Sequence, residues 1–366
     1  MTPASRKLRI LHTEASKGWG GQEIRILSEA QIFRAHGHDV RIAANPGSEI
    51  VANAARYVVP AETLPLERKT FSSIRAVRRL LKKWRPDVVN THSSIDSWLV
   101  ALARIGLRPR PRVVRTRHLS ARVPRNWASR WVYNRGVDFV MTTGESIVED
   151  LTVDGFISKT RIAAVPTGID TDVFRPGART AARLALGLPP EKFLFSIVAT
   201  LRSWKGHGVL LEALKRAGDP SMHLVIVGDG PQQQVIEKRI EELGLSAQVT
   251  LAGRRDDVRD YLWSCDVFVL PSYANEGVPQ ALLQAMACGL PVITCPVGGI
   301  PEVTRGLSSV TMVESRNAEA LAQAMAATMT NRPTDGDLEL ARERIVSGYS
   351  REIMYERALR YFLGNG

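Results

Sequence analysis

Short apolar runs alternate with longer stretches of helical periodicity along almost the whole chain. In the C-terminal half the apolar runs are Phe193–Ala199, His223–Val227, Gln248–Leu251, Val267–Leu270 and Val292–Thr294. Helical spacing fills the intervals at His207–Arg216, Gln232–Leu243, Val258–Ser264 and Gln280–Ala287. Apolar runs with little polar alternation predict strands covered on both faces. Strands that alternate with helices predict a parallel sheet with right-handed crossovers. The N-terminal half repeats the scheme. Strands are expected at Leu8–His12, Asp39–Ala43, Val88–Thr91, Val113–Thr116 and Phe139–Thr142, and helices at Gln22–Ala35, Ser72–Lys83, Ile95–Ala103 and Glu145–Leu151. The pattern alone therefore predicts an α/β chain with two doubly wound sheets in tandem.

The join is expected from Pro166-Thr167-Gly168-Ile169-Asp170 to Phe174-Arg175-Pro176-Gly177, a stretch rich in turn residues. This gives domains of residues 1–172 and 173–349. The end of the chain, Arg351 to Leu363, is amphipathic and carries Ile353, Tyr355, Ala358, Leu359, Tyr361 and Phe362.

Composition narrows the class. The chain has 366 residues, which favours two domains. No apolar run precedes Leu8-Arg9-Ile10-Leu11, so a secretory signal is not expected. No run approaches the roughly 18 apolar residues of a spanning helix. Cys265, Cys288 and Cys295 lack metal-ligand spacing and read as small buried apolar groups in a reducing cytoplasm. The net charge of +12 is unevenly spread. Residues 1–175 hold 29 Lys/Arg against 16 Asp/Glu, while residues 176–366 hold 20 against 21. Arg104 to Arg135 contains ten arginines and no acid; Arg75, Arg78, Arg79, Lys82, Lys83 and Arg85 form a second cluster. Any single arginine reads as a solvated base. The asymmetry as a whole points to an anionic partner of the first half: a lipid surface, a phosphorylated acceptor or a nucleic acid.

The densest chemistry lies at Glu276-Gly277-Val278-Pro279, running into Gln280–Ala287 and ending at Gly289. Pro279 suits the first helical position, where a missing N–H costs nothing. Gly289 suits the position past the helix end. Amides of Gly277, Val278 and the first turn, with the positive end of the helix dipole, would seat a diphosphate. Glu276 would reach a sugar beyond the phosphates, and Gln284 a sugar on the other side. Arg202 and Lys205 follow the first strand of the second domain, at the edge where open α/β sheets bind ligands. There they would neutralise a leaving diphosphate. Gly230, in Gly228-Asp229-Gly230-Pro231, lies at the same rim, and Gly253 and Arg254 end another strand there. No Asp-x-Asp pair sits at a strand end, so neither a metal nor any other cofactor is expected.

The stretch Glu276 to Val292 resembles the Glu-x7-Glu signature of the retaining family 4 glycosyltransferases. Arg202-Ser203-Trp204-Lys205-Gly206-His207, Val227-Gly228-Asp229-Gly230-Pro231, Leu270-Pro271-Ser272 and Gly298-Gly299-Ile300-Pro301-Glu302 extend the resemblance over essentially the whole chain. It implies the GT-B fold: two Rossmann-like parallel-sheet domains facing across a cleft, with a C-terminal helix (350–366) crossing back to the first domain. It also implies transfer of a sugar from a nucleotide-diphosphate donor with retention. Two positions depart from the pattern. Gln284 stands where the family has an acid that holds the ribose. An amide offers one neutral acceptor where a carboxylate accepts with charge assistance. Arg202 stands three residues before Lys205, whereas family members commonly place the arginine five before, at Thr200 here.

In the first half, Gly20-Gly21-Gln22 follows strand one and opens the first helix, and G-x-G-x-x-G is absent. Gly21 is assigned to the donor side. The resemblance makes His118, after the fourth long strand, the histidine that faces the donor sugar; with Glu276 it is the catalytic candidate. His92 ends an earlier strand, and His12 reads as a third strand-end histidine with a structural role. Gly20, His92, Arg115 and Arg117 are the acceptor-side candidates. The expected acceptor is an anionic glycolipid, lipopolysaccharide or polysaccharide, met at the inner face of the cytoplasmic membrane by peripheral association. Nucleic acid is not expected as a partner, since no recognised nucleic-acid motif is present. An epimerase or hydrolase on the same architecture, or a non-catalytic nucleotide-sugar binder, remains as an alternative.

Overall fold

The structure, a computed structural model, describes residues 6–365. The very start of the chain, where no secretory signal is expected, lies largely outside them. Two compact units divide the chain: residues 1–168 with 351–366, and residues 169–350.

The first unit is built on seven strands: β1 (Arg9–Glu14), β2 (Asp39–Ala44), β3 (Ala61–Thr63), β4 (Val88–Thr91), β5 (Arg112–Arg117), β6 (Phe139–Thr142) and β7 (Ile162–Ala164). Their order is β3-β2-β1-β4-β5-β6-β7 and all pairs are parallel. Neighbouring strand residues point to opposite faces, so adjacent apolar residues feed two cores. Ile10, Val88 and Val114 pack with Ile26, Leu27 and Phe33 of the helix Gly21–Ala35. Leu11, Val89 and Val113 pack with Val77, Leu80 and Trp84 of the helix Phe71–Trp84 and with Leu99 and Val100. This is why the runs read as continuous rather than alternating. The helix Arg351–Leu363 lays Met354, Tyr355, Ala358 and Phe362 on the Phe33 side. Phe33 meets the ring of Tyr355 at 4.8 Å and that of Phe362 at 5.1 Å.

The second unit has six parallel strands: β8 (Phe193–Val198), β9 (Met222–Val227), β10 (Val249–Gly253), β11 (Val267–Leu270), β12 (Val292–Thr294) and β13 (Val310–Met312). Their order is β10-β9-β8-β11-β12-β13. In both sheets the order reverses beside the first strand, between β1 and β4 and between β8 and β11, and such switch points are where open α/β sheets leave a crevice.

The long strands and helices lie where the pattern places them, with ends displaced by a residue or two. The three-residue strands β3, β7 and β13 escape the pattern because they are edge strands and only partly buried, whereas the equally short β12 is interior and fully buried. The helices Ala318–Thr330 and Asp335–Tyr349 also go unread. They pack on His207–Ala217 and Gln280–Ala287 respectively. Asn317 caps the first, accepting from the Ala320 amide, and Thr334 with Asp337 forms a capping box on the second. Two local expectations need correction. Pro279 is the residue before the helix, with ψ of 126°, and Gln280 opens it. His12 does not end its strand, because β1 continues through Thr13 and Glu14. Among the described residues no helix is long and apolar enough to cross a membrane.

Candidate functional site

In the second unit the loops leaving β8 and β11 meet at the switch point. The Tyr273 amide donates to the Trp204 carbonyl at 2.9 Å. Lys205, from the first loop, donates to Glu276 Oε1 of the second at 2.6 Å. The acid is buried and the lysine is one-fifth exposed. A buried carboxylate this close to an ammonium is held by charge-assisted hydrogen bonding. Arg202 lies over the Trp204 ring, 5.2 Å from its centroid.

The Glu276 loop is clamped from behind by Gly298-Gly299. Gly298 has φ of 57°, and a Cβ there would come within 2.0 Å of the Glu276 carbonyl oxygen. The Gly299 amide donates to the Gly277 carbonyl at 2.9 Å. Only glycine permits both the left-handed backbone and the close approach. The helix Gln280–Ala287 then ends in paired bonds, Gly289 amide to Met286 carbonyl and Leu290 amide to Ala285 carbonyl, with Gly289 at φ of 75°. Gln284 on this helix is 9% exposed and its side chain bonds none of the described residues, so its amide group remains available.

Next along the rim, the Leu201 amide donates to the Asp229 carbonyl at 2.7 Å, and the Gly228 amide to the Gly253 carbonyl at 2.9 Å. These bonds place Gly230, Gly253 and Arg254 at the same carboxyl edge as Arg202 and Lys205. A depression of about 470 Å³ beside Gly230 is lined by Pro231, Gln233, Gln234 and Glu237. It offers no cation, and Glu237 would repel phosphate. Among the described residues no cluster of three or more His, Cys, Asp or Glu is arranged to hold a metal. All three cysteines are free and buried, and burial pushes the Cys265 and Cys288 thiols up to about 12.

In the first unit the switch point gathers a different set. Gly20 precedes the helix Gly21–Ala35, and a Cβ on Gly21 would meet nothing within 4 Å, so the protein's own packing makes no demand for glycine there. His92 follows β4 and His118 follows β5; both are buried and are hydrogen-bonded to each other at 3.0 Å. Burial, reinforced by nearby charge, holds both imidazoles well below their ordinary range. Asp96 fixes the loop after β4, accepting from the His92 amide and from Thr13 and Ser93. Arg115 is buried with its guanidinium 4.4 Å from the Tyr133 ring centroid, and Arg117 donates to the Tyr133 hydroxyl at 3.4 Å. Both arginines thus close around Tyr133.

Sequence reading passed over Glu14. It ends β1 and accepts from the Ser16 amide at 2.6 Å and from the Gln22 side chain. Burial, and then Asp96, pushes its carboxyl up to about 8. A buried-strand acid just before the glycines Gly18, Gly20 and Gly21 was the available signal.

Two loops crossing a switch point, a lysine–carboxylate pair and a glycine-backed helix entry define a nucleotide-sugar-type transferase of the GT-B fold. Two family models match in tandem: "Glycosyltransferase Family 4" over residues 19–173 and "Glycosyl transferases group 1" over residues 178–345. The chain belongs to glycosyltransferase family 4 and is a glycosyltransferase. It is 25% identical over 374 aligned positions to the UDP-Gal:alpha-D-GlcNAc-diphosphoundecaprenol alpha-1,3-galactosyltransferase of Escherichia coli, covering 96% of this chain and 95% of that one. It is 34% identical over 174 residues to the D-inositol 3-phosphate glycosyltransferase of Mycolicibacterium paratuberculosis, but that match covers 45% of this chain and 38% of the relative. A glycosyltransferase structure from Rickettsia africae superposes with a TM-score of 0.87 at 21% identity, covering 99% of this chain and all of that one.

Proposed function

We propose that the protein transfers a hexose-type unit from a nucleotide-diphosphate sugar to a lipid-linked or surface-polysaccharide acceptor, with retention at the anomeric carbon. The 2.6 Å Lys205–Glu276 pair at the β8/β11 switch point is the observation that carries this reading. In it, Lys205, Arg202 and the amides of Gly277 and Val278 take the diphosphate, whose negative charge grows as the glycosidic bond breaks. Glu276 accepts from hydroxyls of the donor sugar, and Gln284 meets the ribose. Gly21, Gly230, Gly253, Arg254 and Pro279 complete the donor side. The departing phosphate oxygen takes the acceptor proton on the same face, so no protein nucleophile is assigned. His118 acts as the sugar-facing histidine, and Gly20, His92, Arg115 and Arg117 belong to the acceptor side. Fixed cations and the helix dipole do the work a divalent ion does elsewhere, so transfer is proposed to need no metal.

Glu276→Ala is the direct test, assayed in chelator with UDP-sugars and lipid-diphosphate acceptors. Turnover is expected to fall by at least about 100-fold with the fold intact. Wild-type turnover in that variant would end the assignment.

The acceptor reading rests on the exposed bases Arg75, Arg79, Lys82, Lys83 and Arg85, with Phe71 at 78% exposure at the start of the same helix. Near an anionic leaflet each base contributes about 1 kcal/mol, which would hold the enzyme peripherally at the inner face of the cytoplasmic membrane. Co-sedimentation with anionic vesicles but not neutral ones is expected; equal behaviour with both would count against it.

A further inference from the structure

Three histidines of the first unit, His12 within β1 and His92 and His118 just past the ends of the neighbouring β4 and β5, form one hydrogen-bonded chain. His12 Nδ1 lies 2.9 Å from His92 Nε2, and His92 Nδ1 lies 3.0 Å from His118 Nε2. The rings of His12 and His92 stack with centroids 5.2 Å apart, and those of His92 and His118 are also 5.2 Å apart. Their backbones are pinned: His12 lies inside β1, the His92 amide donates to Asp96 at 2.9 Å, and the His118 carbonyl accepts from Thr143 Oγ1 at 3.1 Å.

Each nitrogen pair needs one N–H and one bare nitrogen. Three neutral rings carry one proton each, so the chain has only two arrangements, and all three tautomers change together. In one, every proton sits on Nε2, and the last is the Nε2–H of His12. In the other, every proton sits on Nδ1, and the last is the Nδ1–H of His118. The two ends differ. Among the described residues His12 Nε2 is fully buried and without a partner. His118 Nδ1 bonds none of them and is not sealed in the same way. A buried N–H without an acceptor is a rarer and costlier feature than an under-used lone pair. The buried guanidinium of Arg25 lies close enough to oppose positive charge on all three rings. A cation also favours a bare nitrogen over an N–H at the sealed end. Arg117 bears on His118 as a second cation, and Asp96 spends its oxygens on Thr13, Ser93, Ser97 and the His92 amide rather than on a ring.

We propose that His12 and His92 are positioning residues that lock His118 in the tautomer bearing its proton on Nδ1, so that it presents a neutral N–H donor to a sugar oxygen. The sealed end of the chain, remote from the ligand, thereby decides what the open end offers. The consequence for turnover rests on the proposed function of His118; the tautomer itself does not.

Nitrogen-15 spectra of the imidazoles test it in the full-length protein, whose seven histidines are assignable by single substitutions. His118 is expected to show a protonated Nδ1 and a bare Nε2. In His12→Asp, whose carboxylate accepts where the Nδ1–H donated, the order should invert: His92 turns an Nε2–H to the acid and His118 shows a bare Nδ1. His12→Asn, whose amide N–H replaces the Nδ1–H, should keep the wild-type pattern. Transfer should fall roughly tenfold or more in His12→Asp, chiefly in kcat, and stay near the wild-type rate in His12→Asn. Unchanged signals from His36 and His38, which meet Tyr355 in the same unit, would confirm that the variants fold. A bare Nδ1 on wild-type His118, or the same His118 pattern in His12→Asp with His92 still neutral, would overturn the lock. A wild-type rate in His118→Ala with the expected spectra would instead overturn only the assigned role of His118.

Discussion

At the scale of single residues, the candidate site depends on side chains that are absent as much as on those present. Lys205 and Glu276 pair across two loops only because Gly298 lets the backbone behind Glu276 come close. Gly298→Ala would add a Cβ 2.0 Å from the Glu276 carbonyl oxygen at a φ of 57°. Strain of this kind costs about 1–3 kcal/mol, and the loop must also shift. The expected result is a lower melting temperature together with a loss of transfer larger than the stability loss explains. A variant that melts lower but transfers normally would show that the clamp does not set the acid. At this scale Glu276, Lys205 and Gly298-Gly299 are legible because they sit in a dense motif. Glu14 and the role of His12 are not. Their chemistry arises from partners such as Asp96 and His92, which lie about 80 residues away and meet them only through β1–β4 pairing.

At the scale of elements, uniform apolar runs mark the long strands, and amphipathic spacing marks the longer helices. The terminal helix Arg351–Leu363 shows how far such a pattern reaches. Its amphipathy is plain in sequence, but not what it covers. In the fold it covers Phe33, and the Tyr355 hydroxyl meets His38 Nε2 at 3.1 Å. Phe362 is 2% exposed. Phe362→Ala should cost about 3–5 kcal/mol, read as a lower denaturant midpoint for the transition of the first unit. A shift under about 1 kcal/mol would mean that the helix is dispensable to that core. The arginine-rich stretch carries a related lesson. Arg104 is buried against Asp138, and Arg112 donates to the Tyr361 carbonyl at 2.8 Å. These bases hold the first unit together, so the run contributes less to any anionic surface than its count suggests, and the helix Phe71–Trp84 contributes more.

At the scale of the whole molecule, buried titratable groups in the first unit set opposite limits on stability with pH. Burial, then Arg25, holds the His12 imidazole down at about 3 against an ordinary 6.5. Between those values the unfolded chain takes up a proton that the folded chain refuses. The contribution of His12 is therefore complete above 6.5 and lost as pH falls toward 3. Glu14, pushed up to about 8 from an ordinary 4.5, holds a proton in the folded state that the unfolded chain has released. The contribution of Glu14 accordingly declines as pH rises from about 4.5 to about 8, by at most about 1.4 kcal/mol per pH unit. The two slopes oppose each other between about 4.5 and 6.5, so urea midpoints should be level there and fall below and above that window. Glu14→Gln should flatten the alkaline limb and leave the acid limb; an unaltered alkaline limb would remove Glu14 from the account.

By itself the sequence determined the architecture and the family. Both are written in local signals: apolar runs, helical spacing, turn residues at the ends of elements, and a motif whose parts are neighbours in the chain. Tertiary structure alone decided which polar groups face one another. It brought Lys205 to Glu276 across 71 positions and His12 to His118 through His92, and it turned exposed-looking arginines inward. The physical reason is that hydrophobic patterning acts over one or two turns of chain, whereas charge and hydrogen bonding act across space, and only the folded sheet sets those distances.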